Sequence, residues 1–282
     1  MHKAGIIGAG TMGIGMTVDL IWHGIPSVLI DVSENALAAA KSEILKTVRL
    51  APLINRSAPR LTADQALELV TFDTEISAVA NCNFIVENAT ENECVKKEIY
   101  GTLDQICPTE VCFAANTSCI SITRIGSFTG RPSKVIGMHF MNPVYMKSSV
   151  EVIRGYHTSA DTIDQAHRFL DSLDKEAILV NDMPGFVSNR ISHLFMNEAV
   201  YVVQDQVASP QEVDDIFKKC YGHKMGPLET ADLIGLDTVL DSLNILYESY
   251  QDTKFRAAPL LQKMVDAGLY GKKAGKGFYN YS

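Results

Sequence analysis

The chain has 282 residues, enough for two domains and a large core, and its 46% hydrophobic and 21% charged residues are those of an ordinary soluble globular protein. A formal net charge of −8 argues against a nucleic-acid or anionic-membrane surface as the main partner, and no apolar run is long enough to span a bilayer. The six cysteines, Cys82, Cys94, Cys107, Cys112, Cys119 and Cys220, form no CxxC pair, and no histidine cluster has metal spacing. Free thiols in a reducing cytoplasm and no bound metal are therefore expected.

The opening MHKAGIIG enters an apolar strand pattern almost at once, so no signal or transit peptide is expected. Strands are predicted at 4–8, 28–31, 70–72, 84–87, 111–115, 135–140, 150–154 and 177–180. Between most of them lie segments of helical spacing, such as Val95, Ile99, Leu103 and Ile106. Strands alternating with helices predict an α/β domain of the Rossmann type, with a doubly wound, mostly parallel sheet covered on both faces. After Val180 the strand signal stops. Pro184 suits a first helical position, and a helix is expected over 184–206, followed by others near 210–220, 230–250 and 258–267. Val187, Ile191 and Leu194 on one side of the first, with Met196, Val200 and Val203 on the other, predict a buried helix at a domain or subunit contact. The expected organisation is a dinucleotide-binding domain at 1–183 and a smaller all-helical domain at 184–282, the latter serving the substrate site and dimerisation.

The first strand runs into Gly8-Ala9-Gly10-Thr11-Met12-Gly13, a GxGxxG loop between a strand and a helix. The first glycine permits the tight turn, the second lets a pyrophosphate approach the backbone, and the third lets helix and strand pack closely. The pyrophosphate would sit on the helix N-terminus, where amides point outward and the dipole is positive. GxGxxG alone is a weak signal, but Asp31 stands at the end of the second strand, 18 residues after Gly13. An acid there bonds the adenosine ribose hydroxyls and repels a 2′-phosphate, so NAD is expected rather than NADP.

Glu151 poses a problem, because it sits among Val150, Val152 and Ile153 in a strand that reads as buried. Either alternation turns it to solvent or it has a partner. His139, near the end of the preceding strand and 12 residues earlier, is the candidate partner. A carboxylate on one ring nitrogen fixes the tautomer and stabilises the imidazolium, leaving the other nitrogen to exchange a proton with an alcohol. Ser118, just after the strand at 111–115, reads either as a substrate contact or as a helix N-cap. Asn189 reads either as a substrate contact or as a satisfied core amide.

These residues resemble the L-3-hydroxyacyl-CoA dehydrogenase family, and within it the short bacterial 3-hydroxybutyryl-CoA dehydrogenases. The resemblance runs through GAGTMG at 8–13, ANTS at 115–118, GMHFMNP at 137–143, VEVIRG at 150–155, PGFVSNR at 184–190, GPLETADLIGLDT at 226–238 and GKKAGKGFYNY at 271–281. It implies that His139 is the catalytic acid/base, Glu151 its orienting carboxylate, and Ser118 and Asn189 the residues that hold the substrate and its reacting oxygen. It implies further coenzyme contacts from Glu91, Lys96, Ser118, Asn142 and Lys273. Read from the residues alone, Glu91 and Lys96 are solvated charges flanking a helix start and Lys273 is part of a basic tail. The family's second helix offers a hydroxyl and a lysine to coenzyme A. Thr47 matches the hydroxyl, Ile54 occupies the lysine position, and Arg49 and Arg56 stand nearby. Two further departures are Asn88 after Val86-Glu87, where the family often reads VEA, and Tyr145-Met146-Lys147-Ser148-Ser149 ahead of Glu151. The implied activity is NAD-dependent interconversion of (S)-3-hydroxyacyl-CoA and 3-oxoacyl-CoA in butyrate or fatty-acid metabolism, by a cytoplasmic homodimer with no nucleic-acid or membrane partner.

Overall fold

A computed structural model describes residues 3–54 and 58–281. The chain divides between Asp182 and Met183 into two compact units. The first holds the strands β1 (Ala4–Ile7), β2 (Ser27–Ile30), β3 (Val70–Asp73), β4 (Phe84–Glu87), β5 (Cys112–Ala115), β6 (Val135–His139), β7 (Ser149–Arg154) and β8 (Glu176–Asn181). They form one sheet of eight strands in the order β3-β2-β1-β4-β5-β6-β7-β8. The first six run parallel, with the chain crossing from β3 to the far side of β1. That reversal of strand order is the switch point at which doubly wound sheets open a ligand crevice beyond the strand ends. β7 is antiparallel to β6, and β8 is parallel to β7.

β1, β2, β4 and β5 are buried along their whole length, as parallel strands covered on both faces should be. Alternation sends Ile6, Val86, Ala114, Met138 and Val152 into one apolar layer with residues of the helices α1 (Thr11–Trp22), α2 (Glu34–Ile54) and, in chain order after α3 (Ala63–Glu68), α4 (Glu93–Ile106) and α5 (Ile122–Gly126), the helix α6 (Ala160–Asp171). Gly137 and Ile153 point to the opposite face, where Ile122 of α5 packs so closely that a side chain on Gly137 would meet it at 2.7 Å. His139 and Glu151 have the same parity and share that face.

The second unit contains α7 (Ser188–Gln204), α8 (Pro210–Lys219), α9 (Pro227–Ile234), α10 (Leu236–Tyr250) and α11 (Pro259–Asp266), around a core that includes Met196, Val200, Leu228, Leu240 and Leu261. Two sequence expectations are corrected here. Pro184 does not open α7: Gly185 and Phe186 have φ of 74° and 50°, a left-handed pair that helical propagation does not tolerate, so the helix begins at Ser188. The single stretch expected over 230–250 is two helices, broken where Gly235 takes φ 109°. Ile191 of α7, a helix expected at a domain or subunit contact, is 63% exposed in the single chain. The 226–238 and 271–281 motifs meet at two buried carboxylates. Asp214 accepts bonds from the Leu228 and Glu229 amides and the Tyr279 hydroxyl, and Asp232 from the Phe278 and Tyr279 amides and the Tyr281 hydroxyl.

Candidate active site

Gly8 follows β1 with φ 94°, and a side chain there would strike the Asn88 carbonyl. A side chain on Gly13 would collide with the Gly8 carbonyl, whereas one on Gly10 would enter open space. Gly10 begins α1 with no side chain capping the helix, so the N-terminal amides and the positive end of the dipole are left for an anion. Asp31 follows β2 and accepts the Ala9 amide at 2.9 Å and the Ser33 amide at 3.0 Å. The carboxylate therefore holds the glycine loop and keeps lone pairs for further donors. A groove of about 1130 Å³ runs past Gly8, Gly10 and Asp31, with Val32, Ile76 and Ile99 among its apolar walls. Its shape and chemistry fit a dinucleotide: an apolar slot for a base, an acid for a ribose diol and bare amides for a pyrophosphate.

The antiparallel register of β6 and β7 sets His139 directly opposite Glu151. His139 Nδ1 lies 3.0 Å from Glu151 Oε2, with the two side chains 8% and 9% exposed. The glutamate therefore does not turn to solvent. On the other side of the ring, Ser118 Oγ lies 3.4 Å from Nε2. Ser118 is not the cap of α5; that position is taken by Ser121, which accepts the Arg124 amide. Strand ends thus bring His139, Glu151 and Ser118 together beyond the carboxyl end of β6 and the loop after β5.

The Ser118 loop is itself held. Glu91 Oε1 accepts the Thr117 hydroxyl and the amides of Ser118 and Cys119, the latter two at 3.0 Å. Asn116 Nδ2 donates to Asn88 Oδ1 at 2.7 Å, and Asn116 Oδ1 accepts the backbone amide of Phe140, the residue after His139, at 3.2 Å. Lys96 is not a solvated charge. It is fully buried and donates to both oxygens of Glu87 at 2.8 Å, with Glu91 Oε2 at 3.9 Å. Burial pushes the Glu87 carboxyl above the usual range despite the pull of Lys96. Glu87, at the end of a four-residue buried strand, was not singled out by the sequence. Its signal was a carboxylate ending an apolar run nine residues before a lysine.

Asn142 is exposed, next to a cis bond to Pro143, in the turn that leaves β6. Thr47 is half-buried on α2 and Arg49 is exposed beside it, while Arg56 lies outside the described residues. In the second unit, Asn189 is half-buried in the first turn of α7, and its carbonyl lies 3.0 Å from His193 Nδ1. Lys273 belongs to the same unit and donates to Asp237 at 2.6 Å. Among the described residues, no helix is long and apolar enough to cross a membrane.

A doubly wound sheet with a bare glycine-loop helix, an acid after β2 and a carboxylate-paired histidine at the strand ends defines a nicotinamide-dependent dehydrogenase. The chain belongs to the 3-hydroxyacyl-CoA dehydrogenase family: the family's NAD-binding domain matches residues 3–183 and its C-terminal domain residues 185–281. It is 42% identical to a probable 3-hydroxybutyryl-CoA dehydrogenase of Deinococcus radiodurans, over 99% of this chain and 100% of that protein. It is 40% identical to the 3-hydroxybutyryl-CoA dehydrogenase of Clostridioides difficile, over 99% of both chains. Among solved structures, the (S)-3-hydroxybutyryl-CoA dehydrogenase of Ralstonia eutropha superposes with a TM-score of 0.93 at 38% identity, covering 100% of this chain and 99% of the other.

Proposed function

We propose that the protein interconverts (S)-3-hydroxyacyl-CoA and 3-oxoacyl-CoA with NAD(H), acting chiefly on the 3-hydroxybutyryl-CoA and acetoacetyl-CoA pair. The observation that carries this reading is the His139–Glu151 pair at 3.0 Å, set by strand register in the same sheet that carries the glycine loop and Asp31. NAD(H) supplies the acceptor or donor of hydride for the carbon that bears the reacting oxygen. Gly8–Gly13 and Asp31 would hold its pyrophosphate and ribose. His139 Nε2 takes the hydroxyl proton in oxidation and returns it in reduction. Glu151 keeps the other proton on Nδ1 and stabilises the imidazolium while it lasts. Ser118, 3.4 Å from Nε2, donates to the same oxygen, and the family resemblance adds Asn189 as a substrate contact. Glu91 serves the site by fixing the Ser118 loop, and Asn142 offers an exposed amide at the strand ends. Lys96 and Lys273 are already engaged by Glu87 and Asp237, so the coenzyme assignment rests on the glycine loop and Asp31. Thr47 and Arg49 on α2 are the proposed coenzyme A contacts.

The first unit is thus the coenzyme domain, and the second supplies a substrate contact and the face of a homodimer. Exposed Ile216, Leu233, Ile234 and Tyr221 in that helical unit support the dimer. Six free cysteines support a reducing compartment, the cytoplasm. Light scattering at micromolar concentration should give twice the chain mass, and a monomer would refute the dimer. The reaction is tested by NADH oxidation with acetoacetyl-CoA, longer 3-oxoacyl-CoA thioesters and free acids such as acetoacetate. Turnover of the four-carbon thioester above all others is expected. Preference for free acids, as a gulonate-type dehydrogenase would show, or no turnover, as a coenzyme-binding crystallin relative would show, overturns the reading.

A further inference from the structure

A buried lysine outside the proposed machinery donates to two backbone carbonyls and forms an ion pair with a buried carboxylate. Lys175, just ahead of β8, places its ammonium 3.0 Å from the Val144 carbonyl, 2.6 Å from the Lys147 carbonyl and 3.0 Å from Asp19 Oδ2. Lys175 and Asp19 are 6% and 1% exposed. An ammonium has three N–H groups and no acceptor, and here two of them bond carbonyls while its charge faces the carboxylate.

The acceptors are informative. Val144 and Lys147 bracket the one-turn helix at Val144–Met146, inside the only covalent link between His139 on β6 and Glu151 on β7. Asp19 belongs to α1, the helix whose N-terminus faces the dinucleotide groove. The same turn is pressed onto α1 by apolar contacts. Val144 is buried, a side chain on Gly15 would meet it at 3.1 Å, and Tyr145 packs on Trp22 with ring centroids 4.9 Å apart. Apolar contact sets how close the turn lies, but not its slide along the helix. A point charge gripping two carbonyls and one carboxylate does.

We propose that Lys175, held by Asp19, is a positioning residue that locks the turn between His139 and Glu151 onto the coenzyme helix; the inference rests on the reaction proposed above. The lock acts on fine geometry: the β6–β7 ladder sets Glu151 opposite His139, and the turn that feeds β7 sets how closely the carboxylate meets the ring within that register. The pair is costly to bury, and this turn has no other ammonium among the hydrogen bonds described. Asp19 is faced by Lys175, by His23 with Nδ1 at 3.6 Å, and through His23 by Asp174, and burial raises its carboxyl to about 6. Acidification through that range therefore neutralises the anchor of Lys175.

The test compares Lys175→Met, Lys175→Arg and the double variant Asp19→Asn/Lys175→Met with the wild type. The double variant buries no uncompensated charge and remains informative where Lys175→Met does not fold. Readouts are kcat and KM for acetoacetyl-CoA, NADH affinity by fluorescence, and the pH profile of kcat, all below the thermal midpoint of each variant. The expected result is a loss of kcat on the order of 10- to 100-fold, as for a small misplacement of a catalytic group, with NADH affinity changed less than about threefold. Arg should not restore the rate, because its planar fork does not match two carbonyls and a carboxylate placed around a point charge. The kcat pH profile should shift in the double variant. A kcat within twofold of the wild type with an unmoved pH profile reduces the pair to a stability element and overturns the proposal. A wild type inert towards acetoacetyl-CoA overturns the functional reading, and the positioning role with it.

Discussion

At the scale of single residues, the proposed chemistry depends on a carboxylate whose side chain is only 9% exposed and whose partner lies at 3.0 Å. Glu151→Gln keeps the shape and removes the charge that stabilises the imidazolium. Steady-state kinetics should show kcat falling far more than NADH affinity. His139→Ala should lose roughly 10²–10⁴-fold, the usual worth of general acid–base catalysis. The double variant should be little worse than His139→Ala alone, because the pair acts as a unit, and additive losses would contradict that. Asp31 makes a second prediction. It holds the Ala9 amide while facing the groove, so Asp31→Arg removes the repulsion of a 2′-phosphate and loosens the loop at once. Specificity measured as kcat/KM should move from NADH towards NADPH, with a drop in the NADH value itself. A wild type that already prefers NADPH would refute the role given to Asp31.

At the scale of elements, β4 and α4 are joined at the site by the Glu87–Lys96 pair, with both side chains 1% exposed or less. Truncating one partner of such a pair commonly costs about 3–5 kcal/mol, because the other charge stays buried without compensation. Lys96→Met should therefore destabilise the protein by about that amount in urea titrations near pH 8. Burial already raises the Glu87 carboxyl, and losing the cation raises it further, so the deficit should shrink as pH falls and the group takes a proton. Glu87→Gln/Lys96→Met should recover most of the loss. Equal deficits for the single and double variants would show that the charges do not compensate each other. This pair also explains why Lys96 looked like surface charge in the sequence. Its burial comes from the junction of a strand end with the next helix, and helical spacing within α4 does not reveal it.

At the scale of the whole molecule, Asp19 gives a pH dependence whose sign can be worked out. Its folded value of about 6 lies above the ordinary 3.8. A raised carboxyl favours the folded state in its neutral form, so that contribution is complete below about pH 4, is lost as pH rises towards 6, and is flat beyond. Relative to Asp19→Asn/Lys175→Met, the wild type should lose on the order of 2–3 kcal/mol between pH 4 and 7. Urea midpoints measured in parallel across that range check it, and a constant difference would refute the assignment.

Patterns local in the chain were open to reading without coordinates. The eight strands are legible in order as short apolar runs bounded by polar turns, although only the central ones are buried on both faces and β8 is largely exposed. GxGxxG with Asp31 revealed the coenzyme loop, because phosphate approach restricts residue type within a short segment. His139 and Glu151 were close enough in sequence for a two-strand pairing to be guessed. Tertiary structure alone decided that they meet, because antiparallel register, not spacing, puts one opposite the other. It alone decided that α7 starts at Ser188 and that Gly235 divides two helices, since left-handed backbone depends on what surrounds the turn. Asp19 and Lys175, far apart in the chain, were unreadable as a pair for the same reason. Whether a charge is buried and what neutralises it is settled only when the sheet brings a strand end and a helix together.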